Sequence, residues 1–164
     1  MFACRKKVFI STSTIFVSEE LFIKMLTLKP FSSSVLALGG FLIAAIGVYF
    51  VFLRPPLLPE DLKYMGTSLG QIIDTQPNLS VWLQNVFYVM GGYIFTTGIL
   101  TIYVSLTSFR ARASGSFVIV VVSGLSSMGV MTFVNFIIDS DFKWILLLFM
   151  FPWFLALLFY IMKK

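Results

Sequence analysis

The stretch WILLLFMFPWFLALLFYIM, residues 144–162, contains no Asp, Glu, Lys or Arg. An α-helix rises about 1.5 Å per residue, so roughly 20 apolar residues cross the ~30 Å hydrocarbon core of a bilayer. Three more stretches, 30–53, 75–109 and 113–138, are equally free of charge. A backbone in lipid has no water to bond to, so such stretches must satisfy their polar groups internally, as helices. The expected spans are 34–53, 81–108, 116–138 and 144–162.

Composition points the same way. Hydrophobic residues make up 59% of the 164-residue chain, charged residues 12%, and mean hydropathy is +0.97. Soluble domains carry about 25% charged residues. The expected fold is an all-α membrane protein: a four-helix transmembrane bundle, up-down in order, with a short surface helix in the first outer loop. Residues 34–162 form one transmembrane domain, 54–80 are its outer loop, and no separate soluble domain is expected. Residues 1–33 read as a cytoplasmic segment lying on the membrane or, with Met25 as the true start, as an upstream extension plus a short leader into the first span. Ser11-Thr12-Ser13-Thr14 and Glu19-Glu20 interrupt any signal-peptide core.

Chemistry is narrowed by what is missing. There is no His and one Cys, Cys4. Within this chain, a disulfide, Cys/His zinc sites, His-ligated haem, Ser-His-Asp triads and Cys-His pairs are excluded. No catalytic residue, cofactor or metal site is assigned. The spans carry no Asp, Glu, Lys, Arg or His, unlike most pumps and ion-coupled transporters. The net charge of +5 lies at the span ends and not in a nucleic-acid-binding stripe. Residues 1–33, Arg110, Arg112, Lys163 and Lys164 place nine cationic side chains on one side, against Arg54, Lys63 and Lys143 on the other. By the positive-inside rule both termini are expected in the cytoplasm.

Small residues suggest how the spans pack. Ala37, Gly40, Ala44 and Gly47 step by three, four and three, and so share one helix face. Small faces let helix backbones approach closely in lipid. With Gly91, Gly92, Ser123 and Ser127 they form the expected packing surface of spans one to three. Leu at Gly40 or Gly92 is expected to disrupt the bundle. Span four, bulky and carrying Pro152, is expected outside that core or at a partner interface.

Arg54-Pro55-Pro56 ends the first span, and Pro59-Glu60-Asp61-Leu62-Lys63-Tyr64-Met65-Gly66 reads as a short helix with Pro and acids at its start and Gly at its stop. The run from Arg54 to Gly66, with Trp82-Leu83, Phe87 and Met90-Gly91-Gly92-Tyr93, resembles small uncharacterised four-span bacterial inner-membrane proteins over residues 30–110. That resemblance implies a bacterial inner membrane and brings no activity.

Three functional readings follow. The first is a non-enzymatic scaffold or accessory subunit, partnered by the lipid bilayer and by copies of itself or a larger membrane complex. The second is an oligomeric channel or carrier for a small or apolar molecule, with Thr96, Thr97, Thr101, Ser123, Ser126, Ser127 and Asn135 as its polar lining. The third is a membrane enzyme using Glu60, Asp61 and Asp74 at the outer loop. Neighbouring residues on a helix point apart, so Glu60 and Asp61 are not expected to form a dyad.

Overall fold

The computed structural model describes residues 31–162. The expectations for residues 1–30, Cys4 and Met25 among them, lie outside that range. The elements are α1 (Phe31–Phe52), α2 (Pro59–Met65), α3 (Leu69–Thr75), α4 (Leu79–Phe109), α5 (Ser116–Ile137) and α6 (Lys143–Met162). Among the described residues there is no strand. Helices α1, α4, α5 and α6 are long and apolar enough to cross a membrane. Their bounds fall within a few residues of the expected spans. The largest difference is at α1, which begins three residues early because Phe31-Ser32-Ser33 join the helix. There the Ser33 hydroxyl donates to the Ser105 carbonyl of α4.

Helix α1 is the most enclosed of the four. It runs antiparallel to α4, and the two backbones nearly touch. A Cβ on Gly98 would stand 2.4 Å from the Ala44 nitrogen, one on Gly47 2.4 Å from the Phe95 nitrogen, and one on Gly91 2.9 Å from the Gly47 carbonyl. Gly40 faces the same seam, 3.0 Å from the Gly98 carbonyl on the same construction. Ala44 is buried and Ala37 half-buried beside it. Gly92 does not belong to this seam. It is exposed, and a Cβ there would meet nothing within 4 Å. One residue turns a helix by about 100°, so only one member of the Gly91-Gly92 pair can face α1.

The expected exclusion of span four from the core needs correcting as well. Trp153 of α6 is 4% exposed and Ala156 fully buried. The Trp153 ring fills a hollow left by two glycines on other helices. Cβ atoms there would lie 3.7 Å from its Cε3 at Gly39 of α1 and 2.4 Å from its Nε1 at Gly124 of α5. Its indole N–H donates to the Val120 carbonyl at 3.0 Å, which satisfies the one polar atom of a side chain placed in an apolar interior. Trp153 thus ties α5 and α6 to α1.

Two turns are π-helical, Ser105–Phe109 at the end of α4 and Leu125–Gly129 in the middle of α5. At the end carrying the 110–115 link, Tyr160 of α6 packs on Phe109 and Phe117, with centroids at 4.5 and 5.5 Å. Arg112 covers the Tyr160 ring and donates to its carbonyl at 3.0 Å. This end of the bundle is closed.

Overpacking a tight interface costs about 1–3 kcal/mol. Gly98→Ala and Gly47→Ala should each lose about that much, and the Leu variants more, because backbone and not a flexible side chain is in the way. Gly92→Ala and Gly92→Leu should leave the melting temperature in mild detergent nearly unchanged. Equal losses at Gly92 and Gly98 would overturn the seam.

Candidate functional site

Helices α4 and α5 come together beside their link and stand apart toward the other end. Between them, with α1 and α6 behind, lies a cavity of about 720 Å³. Small-molecule pockets typically enclose ~300–1,000 Å³. Its walls are Ile43 and Ile46 from α1, Phe87 and Ile94 from α4, Met131 from α5, and Leu146 and Phe149 from α6.

The charged residues of its lining, Arg54, Glu60 and Asp61, sit at one rim. Pro55 and Pro56 stop the chain from continuing α1, and the segment turns back as α2. Arg54 is left at the turn with its side chain 12% exposed. Its guanidinium carbon lies 3.5 Å from the Phe87 ring centroid and 5.2 Å from that of Phe50. Its Nη2 reaches Asp61 Oδ2 at 3.5 Å. Burial lowers the Arg54 pKa from its ordinary value, and Asp61 opposes that shift. A guanidinium stays charged regardless. Asp61 also accepts from the Leu58 N–H at 2.9 Å and so caps α2.

Glu60 goes the other way, as neighbours on a helix must. It is 8% exposed and accepts from the Ser140 hydroxyl at 3.2 Å, across 80 residues of sequence. Ser140 is 2% exposed, and its Oγ accepts from the Phe142 N–H at 3.2 Å. Glu60, Asp61 and Ser140 all line the cavity. Asp74, in α3, is exposed and is not part of the lining. Two of the three carboxylates expected at an outer-loop site therefore share the cavity, with no pairing between them. Asp139 next to this rim is ion-paired to Lys143 and, at 3.8 Å, to Lys63. The Lys143 hydrogen bond holds the Asp139 carboxyl below its usual pKa.

Of the polar residues read as a lining, Thr97, Ser126, Ser127 and Asn135 reach the cavity. Thr96 is exposed elsewhere, and Thr101 and Ser123 are not in its walls. Each of these four side chains donates within its own helix: Thr97 to the Tyr93 carbonyl at 2.8 Å, Ser126 and Ser127 to that of Ser123 at 3.3 and 2.5 Å, and Asn135 to that of Met131 at 2.9 Å. With these few polar groups set in a mainly apolar wall, the cavity suits an apolar solute better than a hydrated one. Among the described residues no group of three or more acidic or other ligating side chains gathers to hold a metal ion.

Sequence reasoning missed the Phe50–Phe87 clamp, the Glu60–Ser140 contact and helix α3. For α3 a signal existed. Ser68 and Gln71 have the spacing of a capping box, and the Ser68 hydroxyl accepts from the Gln71 N–H at 3.3 Å while Gln71 Oε1 accepts from the Ser68 N–H at 3.0 Å. No family model, curated protein or solved structure matches the chain.

Arg54 and Asp61 are the testable pair. Removing one partner of a half-buried ion pair leaves the other poorly solvated, at a cost of about 1–3 kcal/mol. Arg54→Ala and Asp61→Asn should each destabilise, and together by less than their sum, with a coupling of about 0.5–1.5 kcal/mol. Arg54→Lys should recover only part, since an ammonium loses the planar stacking on Phe87. Additive losses in a thermal double-mutant cycle would show that the contact carries no energy.

Proposed function

We propose that this chain is a multi-pass membrane protein, non-enzymatic in type, whose cavity binds a small apolar or amphiphilic molecule drawn from the bilayer. The observation that carries this reading is the cavity of about 720 Å³ with apolar walls and a charged rim. Such a site matches a molecule with an apolar body and a polar end. The reading takes up the channel-or-carrier expectation in its simplest form, as binding by one copy of the bundle.

The same reading orders the fold in the membrane. Helices α1, α4, α5 and α6 run up-down, with 53–78 and 138–142 at the outer face. The Glu60–Ser140 and Lys63–Asp139 contacts support a common end for those two segments. The positive-inside count supports termini in the cytoplasm of a bacterial inner membrane. Helix α2, with its acidic first turn over the rim, fits a surface position.

The test is to fill the space. Wild-type protein extracted in mild detergent should retain a small lipid-like molecule by native mass spectrometry, and Met131→Trp should retain at least about tenfold less at equal thermal stability. If nothing is retained, and a solvatochromic apolar probe partitions no better than into empty nanodiscs, the reading fails.

A second reading, the scaffold, has one observation in its favour. Gly92 and Thr96 are both exposed on α4, four residues apart, which leaves a small-residue notch on a lipid-facing surface. Gly92→Leu should then lower the oligomeric state in nanodiscs or by crosslinking without lowering stability. An unchanged state would remove this reading.

A further inference from the structure

The charge balance at the rim indicates the kind of polar end the cavity takes. Glu60 and Asp61 are two carboxylates lining it, and among the described residues Arg54 is the one cation in its lining. Arg54 faces Asp61 and has its flat surface against Phe87. Glu60 is more than nine-tenths buried, and among the described residues the one hydrogen bond its side chain shows comes from the Ser140 hydroxyl. A carboxylate offers about four acceptor positions. A carboxylate with acceptor positions to spare favours a cation or donor that reaches it.

The wider field agrees. Among the described residues at this end, Glu60, Asp61, Asp74, Asp139 and Asp141 outnumber Arg54, Lys63 and Lys143. A concave, low-dielectric site with an excess of one sign concentrates ligands of the other. The faces of Phe50 and Phe87 already hold a guanidinium, which shows that the rim accommodates a delocalised cation against aromatic carbon. An anionic head group would have to displace Asp61 from Arg54 and sit beside Glu60.

We infer that the cavity binds a cationic amphiphile, an amine or quaternary ammonium carrying an apolar tail, with the head group at Glu60 and the tail between α4 and α5. This rests on the reading of the cavity as a binding site. It adds the head-group charge and names Glu60 as the residue that recognises it.

The experiment uses the full chain in zwitterionic nanodiscs at pH 7. Octylamine, octyltrimethylammonium, octanol and octanoate are titrated separately by calorimetry, with empty nanodiscs as the partition control. The expected result is that the two cations bind roughly tenfold or more tightly than octanol or octanoate, as a charge-assisted contact requires. Glu60→Gln, whose amide oxygen can still accept from Ser140, should bring the cations down to the octanol level and leave octanol unchanged. Asp61→Asn provides a second variant at the same rim and should weaken the cations less. Equal affinity for all four, or tightest binding of octanoate with loss in Arg54→Ala, would overturn the head-group inference while leaving the cavity reading intact. No binding above the empty nanodisc by any of the four would remove the cavity reading with it.

Discussion

Everything in this bundle hangs on how closely α1 can approach α4. In a bilayer there is no water to drive apolar helices together, so association depends on packing and on interhelical hydrogen bonds. Gly40, Gly47, Gly91 and Gly98 remove the side chains that would hold the backbones apart, and Ser33 adds a hydrogen bond to the Ser105 carbonyl. With α4 fixed on one flank of α1, the other flank is free for α6. Trp153 occupies it, wedged between Gly39 and Gly124. The molecule therefore uses glycine in two ways: once to bring backbones together, and once to admit the largest side chain there is.

This arrangement explains why the cavity exists. Helix α4 is held by α1, and α5 is held largely through α6. The bundle has a continuous back and, toward the rim, an open front between α4 and α5. At the opposite end Phe109, Phe117, Tyr160 and Arg112 close the gap. At the rim it is kept open, and the short helix α2 brings Glu60 and Asp61 over it. A bundle with four equal seams would have had no such space.

The number and limits of the long helices were legible because they depend on one local property, the absence of charge over about 20 residues. The seam on α1 was half legible. Its spacing of three, four and three marked one face, but the partner face on α4 depended on whether Gly91 or Gly92 turned inward. Gly98, seven residues after Gly91 and so almost two full turns on, is the position that decides it. The place of Trp153 was not legible, since the hollow it fills is made by residues far from it in sequence. Nor was the cavity. Arg54 read as a residue beyond the end of a span, and only the turn at Pro55-Pro56 and the rings of Phe50 and Phe87 bring it to the rim.

The π turn in α5 has a consequence for how this helix keeps its phase. Ser116, Val120, Gly124, Met128 and Thr132, the buried positions of α5, recur at every fourth residue. A regular α-helix would carry such a row steadily around its axis, by about 40° per step, or about 120° between Val120 and Thr132. The wider turn at Leu125–Gly129 accommodates one extra residue, worth about 100°, and returns the row to the same side. The turn acts as a phase correction, the structural form of a one-residue insertion. Deleting one residue there would let the helix close into regular α turns with Met131 and Asn135 still facing the space between α4 and α5, whereas straightening the turn at constant length would rotate both by about 100°.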